Sequence, residues 1–163
     1  MAHSRILQFE ICKQSEYDKY DIEVLNEYTL SENQLPDFVD YTSETYLLEK
    51  DFERFVASLP EGVFDMNKEE MSLTYIKRPD DYIKNYFDTI KAEANKLSVD
   101  DFYNCKCSTW KLEKVLKNFE NHYMIYSSAF DYAMYLKNWI IQIVQCEKIG
   151  TKFYLGGVLD YHY

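Results

Sequence analysis

Arg5-Ile6-Leu7-Gln8-Phe9-Glu10-Ile11-Cys12 is the stretch that decides the class of fold. Leu7, Phe9 and Ile11 alternate with Gln8 and Glu10, the two-residue period of a strand with one face buried and one in water. Helical neighbours recur three and four residues apart, so a helix does not produce this alternation. Working outward, Val63–Met66 and Met71–Lys77 read as two further strands around the polar turn Asn67-Lys68-Glu69-Glu70. They predict a hairpin, although its four-residue loop lacks the Asn-Gly signal. Thr151–Tyr163 reads as a fourth strand, with Gly156-Gly157 forming a bulge or kink.

The intervening sequence carries helical periods. Ser43 is placed to cap a helix running to about Ser58, with Leu47, Leu48, Phe52, Phe55, Val56 and Leu59 as its apolar stripe. Pro79-Asp80-Asp81 opens the next: proline loses no needed donor in a first turn, and the carboxylates oppose the positive end of the helix dipole. Tyr82, Ile83, Tyr86, Phe87, Ile90 and Ala94 mark its buried side. Ser98 caps a short helix through Tyr103. Ser108 begins another, carrying Leu112, Val115, Leu116 and Phe119 inward. Ala129, Ala133, Leu136, Ile140, Ile143 and Val144 define the last, from Ser127 to about Lys148, with Gly150 suited to the left-handed position beyond its end. Asp21–Tyr28 is a short helix candidate, and Pro36 opens a turn of helix through Val39. The expected architecture is α+β: a small antiparallel sheet of about four strands (near 5–12, 63–66, 71–77 and 151–163), packed by helices near 43–58, 79–97, 108–119 and 127–148.

The 163 residues fit a single domain, 1–163, whose core needs no metal or disulfide staple. No secretory leader is visible, and the longest apolar run, near Trp139–Val144, is far shorter than a bilayer span. Four cysteines in such a chain read as reduced thiols, which places the protein in the cytoplasm. The net charge of −10 is uneven: residues 1–100 carry 22 acids against 11 Lys and Arg, and residues 101–163 carry 6 acids against 7 Lys. This balance argues against direct nucleic-acid binding and against docking on anionic membrane. It favours a protein partner with a basic surface.

Candidate chemistry is sparse. Cys105-x-Cys107 is the only close thiol pair, and His3, His122, His162, Cys12 and Cys146 stand at no recognisable metal-site spacing. No metal or other cofactor is therefore expected. Asp160 and His162 would point the same way on a strand, so the carboxylate could orient the imidazole as in acid–base catalysis, but no third partner can be named. Asp80-Asp81 and Asp100-Asp101 belong to helix starts, and Glu69-Glu70 to a solvated turn. Lys111, Lys114 and Lys117, with Lys106 before them, read as a solvated helix face. No phosphate loop, metalloprotease helix, nucleophile elbow or EF-hand loop is present.

The most suggestive segment is Glu16–Asp51, with 11 acids, two Lys and five interleaved tyrosines. Its candidate binding residues are Glu16, Tyr17, Asp18, Tyr20, Asp21, Glu23, Glu27, Tyr28, Glu32, Asp37, Asp40, Tyr41 and Glu44. Spaced carboxylates can copy the charge layout of a phosphate backbone, and tyrosine supplies rigid contact area. The bland counterpart is a solvated surface whose tyrosines bury their rings and wet their hydroxyls. The sequence thus favours a non-catalytic acidic interaction protein. Its sharp form is an inhibitor mimicking nucleic-acid charge, as anti-restriction and anti-CRISPR proteins do, by analogy only. The alternatives are a small enzyme with an unrecognised His, Cys and carboxylate site, or a self-assembling structural protein; homo-oligomers are compatible with any of these.

Overall fold

The structure, a computed structural model, describes residues 3–19, 22–30, 34–35, 39–45, 47–104, 109–117 and 123–162. Two compact units divide the chain, one formed by residues 1–78 with 122–163 and the other by residues 79–121. The first holds a seven-stranded sheet: β1 (His3–Glu10), β2 (Tyr41–Glu44), β3 (Phe64–Asn67), β4 (Ser72–Tyr75), β5 (Met124–Tyr126), β6 (Met134–Tyr135) and β7 (Lys152–His162). It also holds the helices α1 (Leu48–Val56) and α5 (Leu136–Cys146). The second unit holds α2 (Asp80–Ala94), α3 (Val99–Tyr103) and α4 (Trp110–Lys117).

The strand order is β3-β4-β7-β1-β5-β6, with β2 also paired to β7. β7 is the longest strand and organises the rest. β1 runs antiparallel along one side of it, while β4 takes residues 152–154 and β2 takes residues 159–162 of the other. The expected α+β class is present, but two details differ. The sheet has seven strands instead of about four, and it is not wholly antiparallel, because β1 pairs parallel to β5.

The β1 alternation places His3, Arg5, Leu7 and Phe9 on one face. There Phe9 meets Phe55 at 5.3 Å and Trp139 at 5.4 Å between ring centroids, so α1 and α5 cover this side. Removing so central a ring is costly. Phe9→Ala should lower unfolding stability by about 3–5 kcal/mol, read as a shifted urea midpoint at unchanged slope.

The opposite face is not the water-facing side that Gln8 and Glu10 suggest. Ile6, Met124, Leu159 and Tyr161 pack there against Leu25 and Leu30 from an irregular segment laid over the sheet. Gln8 is 0% exposed because its amide replaces that segment's missing ladder. Its Oε1 accepts from Leu25 N at 2.8 Å and Gly157 N at 3.0 Å, and its Nε2 donates to Glu23 O at 2.9 Å. Gln8 also donates to Glu10 at 3.1 Å, and Glu10 accepts from Ser128 N at 2.7 Å and from the Ser127 and Ser128 hydroxyls. Ile11 lies beyond β1 and is 58% exposed. Between Leu7 and Phe9 the β1–β7 register shifts, so the extra β7 residue falls at Gly156-Gly157 as a bulge.

Three helix boundaries differ from the sequence periods. Ser43 lies in β2 instead of capping α1, since β7 offers residues 41–44 an open ladder; Thr45 instead holds the entry to α1, donating to Asp51 at 2.8 Å. Residues 127–135 are not helical, because Ser127 and Ser128 are engaged by Glu10 and Asp131 takes a left-handed φ of 54°. Asp21–Tyr28 forms no helix over its described residues. Instead, Asn26 Oδ1 accepts from Tyr28 N at 2.9 Å and Thr29 Oγ1 from Asn26 N at 3.0 Å, a side-chain-held turn. The Pro36 opening lies outside the described residues, although Val39 packs at the edge of the Leu25 cluster. In the second unit Ser98 caps α3 as expected, accepting from Asp101 N at 3.2 Å. No residue of α2 is fully buried, in contrast to the apolar side its period marks.

Lys137, in the first turn of α5, is buried, and burial pushes its ammonium down to about 8 from 10.5. Between those values the unfolded chain binds the additional proton, so stability should rise with pH. The cost of the buried charge is present in full below about pH 8 and is relieved above it. Urea midpoints at about pH 7 and about pH 9.5 should differ in that direction, and Lys137→Met should flatten the difference.

Candidate functional site

β-Strand periodicity and register assemble one polar cluster. On the face shared by His3 and Arg5, β7 presents His162 opposite His3 and Asp160 opposite Arg5, while β2 presents Tyr41 opposite His162 and Ser43 opposite Asp160. Three rings therefore line up across three strands. Tyr41 stacks on His162 at 3.9 Å with an 18° interplanar angle, and His3 meets His162 at 3.8 Å edge-on. In the adjoining row Asp160 Oδ2 lies 2.9 Å from His3 Nδ1 and 3.3 Å from His162 Nε2, and Arg5 donates to Asp160 Oδ1. Arg5 Nε also faces the buried carboxylate of Asp51, at 3.1 Å.

The same-face placement of Asp160 and His162 follows from the sequence, and the structure brings them into contact. His3 and Tyr41 join them only through register. No local signal in the chain relates residue 3 or 41 to residue 162, so sequence reasoning missed this set. Among the described residues, recesses lie elsewhere as well, one of about 330 Å³ flanked by Lys13, Glu70 and Tyr154 and a small one of about 50 Å³ beside Phe9 and Trp139. Neither includes a histidine.

The acidic segment is distributed by the turn at residues 27–29. Tyr28 projects outward, 86% exposed, and a hydrogen bond to Glu27 together with the Glu44 carboxylate holds its hydroxyl above the usual tyrosine range. Glu44 and Tyr41 lie on opposite faces of β2, so Tyr41 goes to the histidine cluster while Glu44 points away from it. Glu23 and Asp40 are exposed. Glu16 accepts from Lys13 N at 3.2 Å, closing its own turn. Tyr17 and Asp18 lie in the 3-10 turn Gln14–Lys19, and Tyr20, Asp21, Glu32 and Asp37 lie outside the described residues.

Cys105, Cys107, Lys106 and His122 also lie outside the described residues. Cys12 is half-buried, and burial followed by the Glu10 charge raises its thiol pKa, the opposite of what a nucleophile needs. Glu70 is engaged by Lys152 at 2.8 Å and Lys13 at 3.2 Å, which lower its carboxyl pKa. Lys114 lies over the Trp110 ring at 5.5 Å.

Comparison with protein-family models, curated proteins and solved structures finds no match for the chain. Among the described residues no helix is long and apolar enough to cross a membrane.

Proposed function

We propose that the chain is a non-catalytic, cytoplasmic interaction protein that presents an acidic, tyrosine-bearing surface to a basic protein partner. The observation that supports it most is Tyr28, 86% exposed and hydrogen-bonded to Glu27, with the Glu44 charge adding to the field around it. A large aromatic left in water beside a carboxylate suits a cationic groove: the ring supplies contact area and the acid supplies steering. Exposed Glu23 on the same segment and Asp40 just before β2 add to the negative field. In its sharper form the surface substitutes for a nucleic-acid backbone and blocks the groove of a nucleic-acid-binding enzyme. The enzyme alternative draws on the Asp160–His162 contact but has no recess lined by either residue among the two described above.

The test is capture of partners from native lysate at about 0.15 M and about 0.45 M salt, over which the screening length falls from about 8 Å to roughly 5 Å. A basic partner should be held at the lower salt and released at the higher. Glu27→Gln with Tyr28→Ser and Glu44→Gln together should abolish capture, while each single charge change should do little. A triple variant that is folded and captures the same partner as well as the parent would remove this reading.

A further inference from the structure

The cluster at the β1–β7 end has the composition of a metal centre. We propose that His3, Asp160 and His162 bind a divalent transition ion of the zinc class, leaving a fourth position open. Their candidate ligand atoms all lie within 4.8 Å of one another. In a tetrahedral site with bonds of about 2.0–2.1 Å, neighbouring donors are about 3.3 Å apart. Asp160 Oδ2 stands 2.9 Å from His3 Nδ1 and 3.3 Å from His162 Nε2, so both imidazole nitrogens already lie near that spacing from the carboxylate oxygen. Two imidazoles and one carboxylate are borderline-soft ligands, suited to zinc and its neighbours more than to magnesium or calcium.

Charge points the same way. Arg5 lies between two carboxylates, Asp51 and Asp160. One guanidinium balances one of them, so with neutral imidazoles the cluster carries a residual negative charge that a cation would offset. Asp51 is buried and also accepts from Thr45, which ties it to Arg5 and leaves Asp160 Oδ2 for the imidazoles. Arg5 on Oδ1 then acts as the outer partner that fixes a ligating carboxylate. His162 is 7% exposed, and its Nδ1 has no hydrogen-bond partner among the described residues. Tyr41, stacked on His162, covers one side of the site, and the more exposed His3 lies on the other.

The untagged chain, freed of metal with a chelator, should be titrated with Co²⁺ and then Zn²⁺. One equivalent of Co²⁺ should give visible d–d absorption without a thiolate charge-transfer band, and Zn²⁺ should displace it. Zn²⁺ should also raise the thermal midpoint by selective binding to the folded chain. His3→Ala is the decisive variant, because His3 is 53% exposed at a strand end and its loss should shift the metal-free midpoint little while removing a ligand. It should weaken cobalt affinity at least tenfold. His162→Ala should abolish the band, provided the variant retains its fold by circular dichroism. Absence of the band, undiminished affinity in His3→Ala, or a sulfur charge-transfer band placing the ion at cysteines would each overturn the site. None of these readouts depends on the acidic partner surface.

Discussion

Gly157→Ala should lower the thermal midpoint by about 10 °C, corresponding to a loss of about 3 kcal/mol. A Cβ at residue 157 would sit 2.2 Å from the carbonyl oxygen of Leu25 and 2.8 Å from its Cβ. The first overlap decides the outcome, because a carbonyl cannot rotate away as a side-chain tip can. The segment carrying Leu25 would have to lift from the sheet, breaking the Gln8 bonds to Leu25 N and Glu23 O together. Combining Gly157→Ala with Leu25→Ala should therefore give no rescue. Recovery of the midpoint in the double variant would mean that the side chain, not the backbone, is what glycine accommodates.

Gln8→Leu is the second large effect expected, at about 4 kcal/mol. The substitution preserves approximate volume but removes the acceptor of two backbone N–H groups and the donor to Glu23 O, all in a dry interior. Each orphaned group costs about 1–3 kcal/mol. Glu10 would also lose one partner while keeping Ser127 and Ser128. Urea unfolding gives the total, and amide hydrogen exchange gives its location: Leu25 and Gly157 should lose protection well before Leu7 and Val158. Uniform loss across the sheet would indicate that Gln8 supports the whole fold instead of one overlay.

These two residues show where local pattern stops being informative. β1, the β3–β4 hairpin and β7 are legible because their periods run for four residues or more, and α3 because Ser98 and Asp101 meet within one turn. β5 and β6 have three and two residues, too few to display a period, and in β2 the reading of Ser43 as a helix cap competes with a strand; these three exist because β1, β5 and β7 offer them ladders. Ala129 and Ala133 fit a helical spacing by chance of composition, while Glu10, over a hundred residues away, fixes the Ser127-Ser128 turn. The same divide runs through the histidine cluster. Asp160 and His162 share a face by strand parity alone, whereas His3 and Tyr41 reach them through register. Gln8 and Glu10 look like a solvent face because alternation reports polarity, not exposure; a polar residue whose bonds are all met inside gives the same pattern.

The pairing of β1 with β7 also sets a timetable for biosynthesis. Gln8 and the Gly157 amide it binds are 149 residues apart. At roughly 5–20 residues per second on the ribosome, β1 waits about 7–30 s for its central neighbour. Throughout that interval a strand meant to be buried on both faces has neither β7 beside it nor β5, which is also made late. Nascent chains should therefore engage holding chaperones through residues 3–10 until β7 has been made.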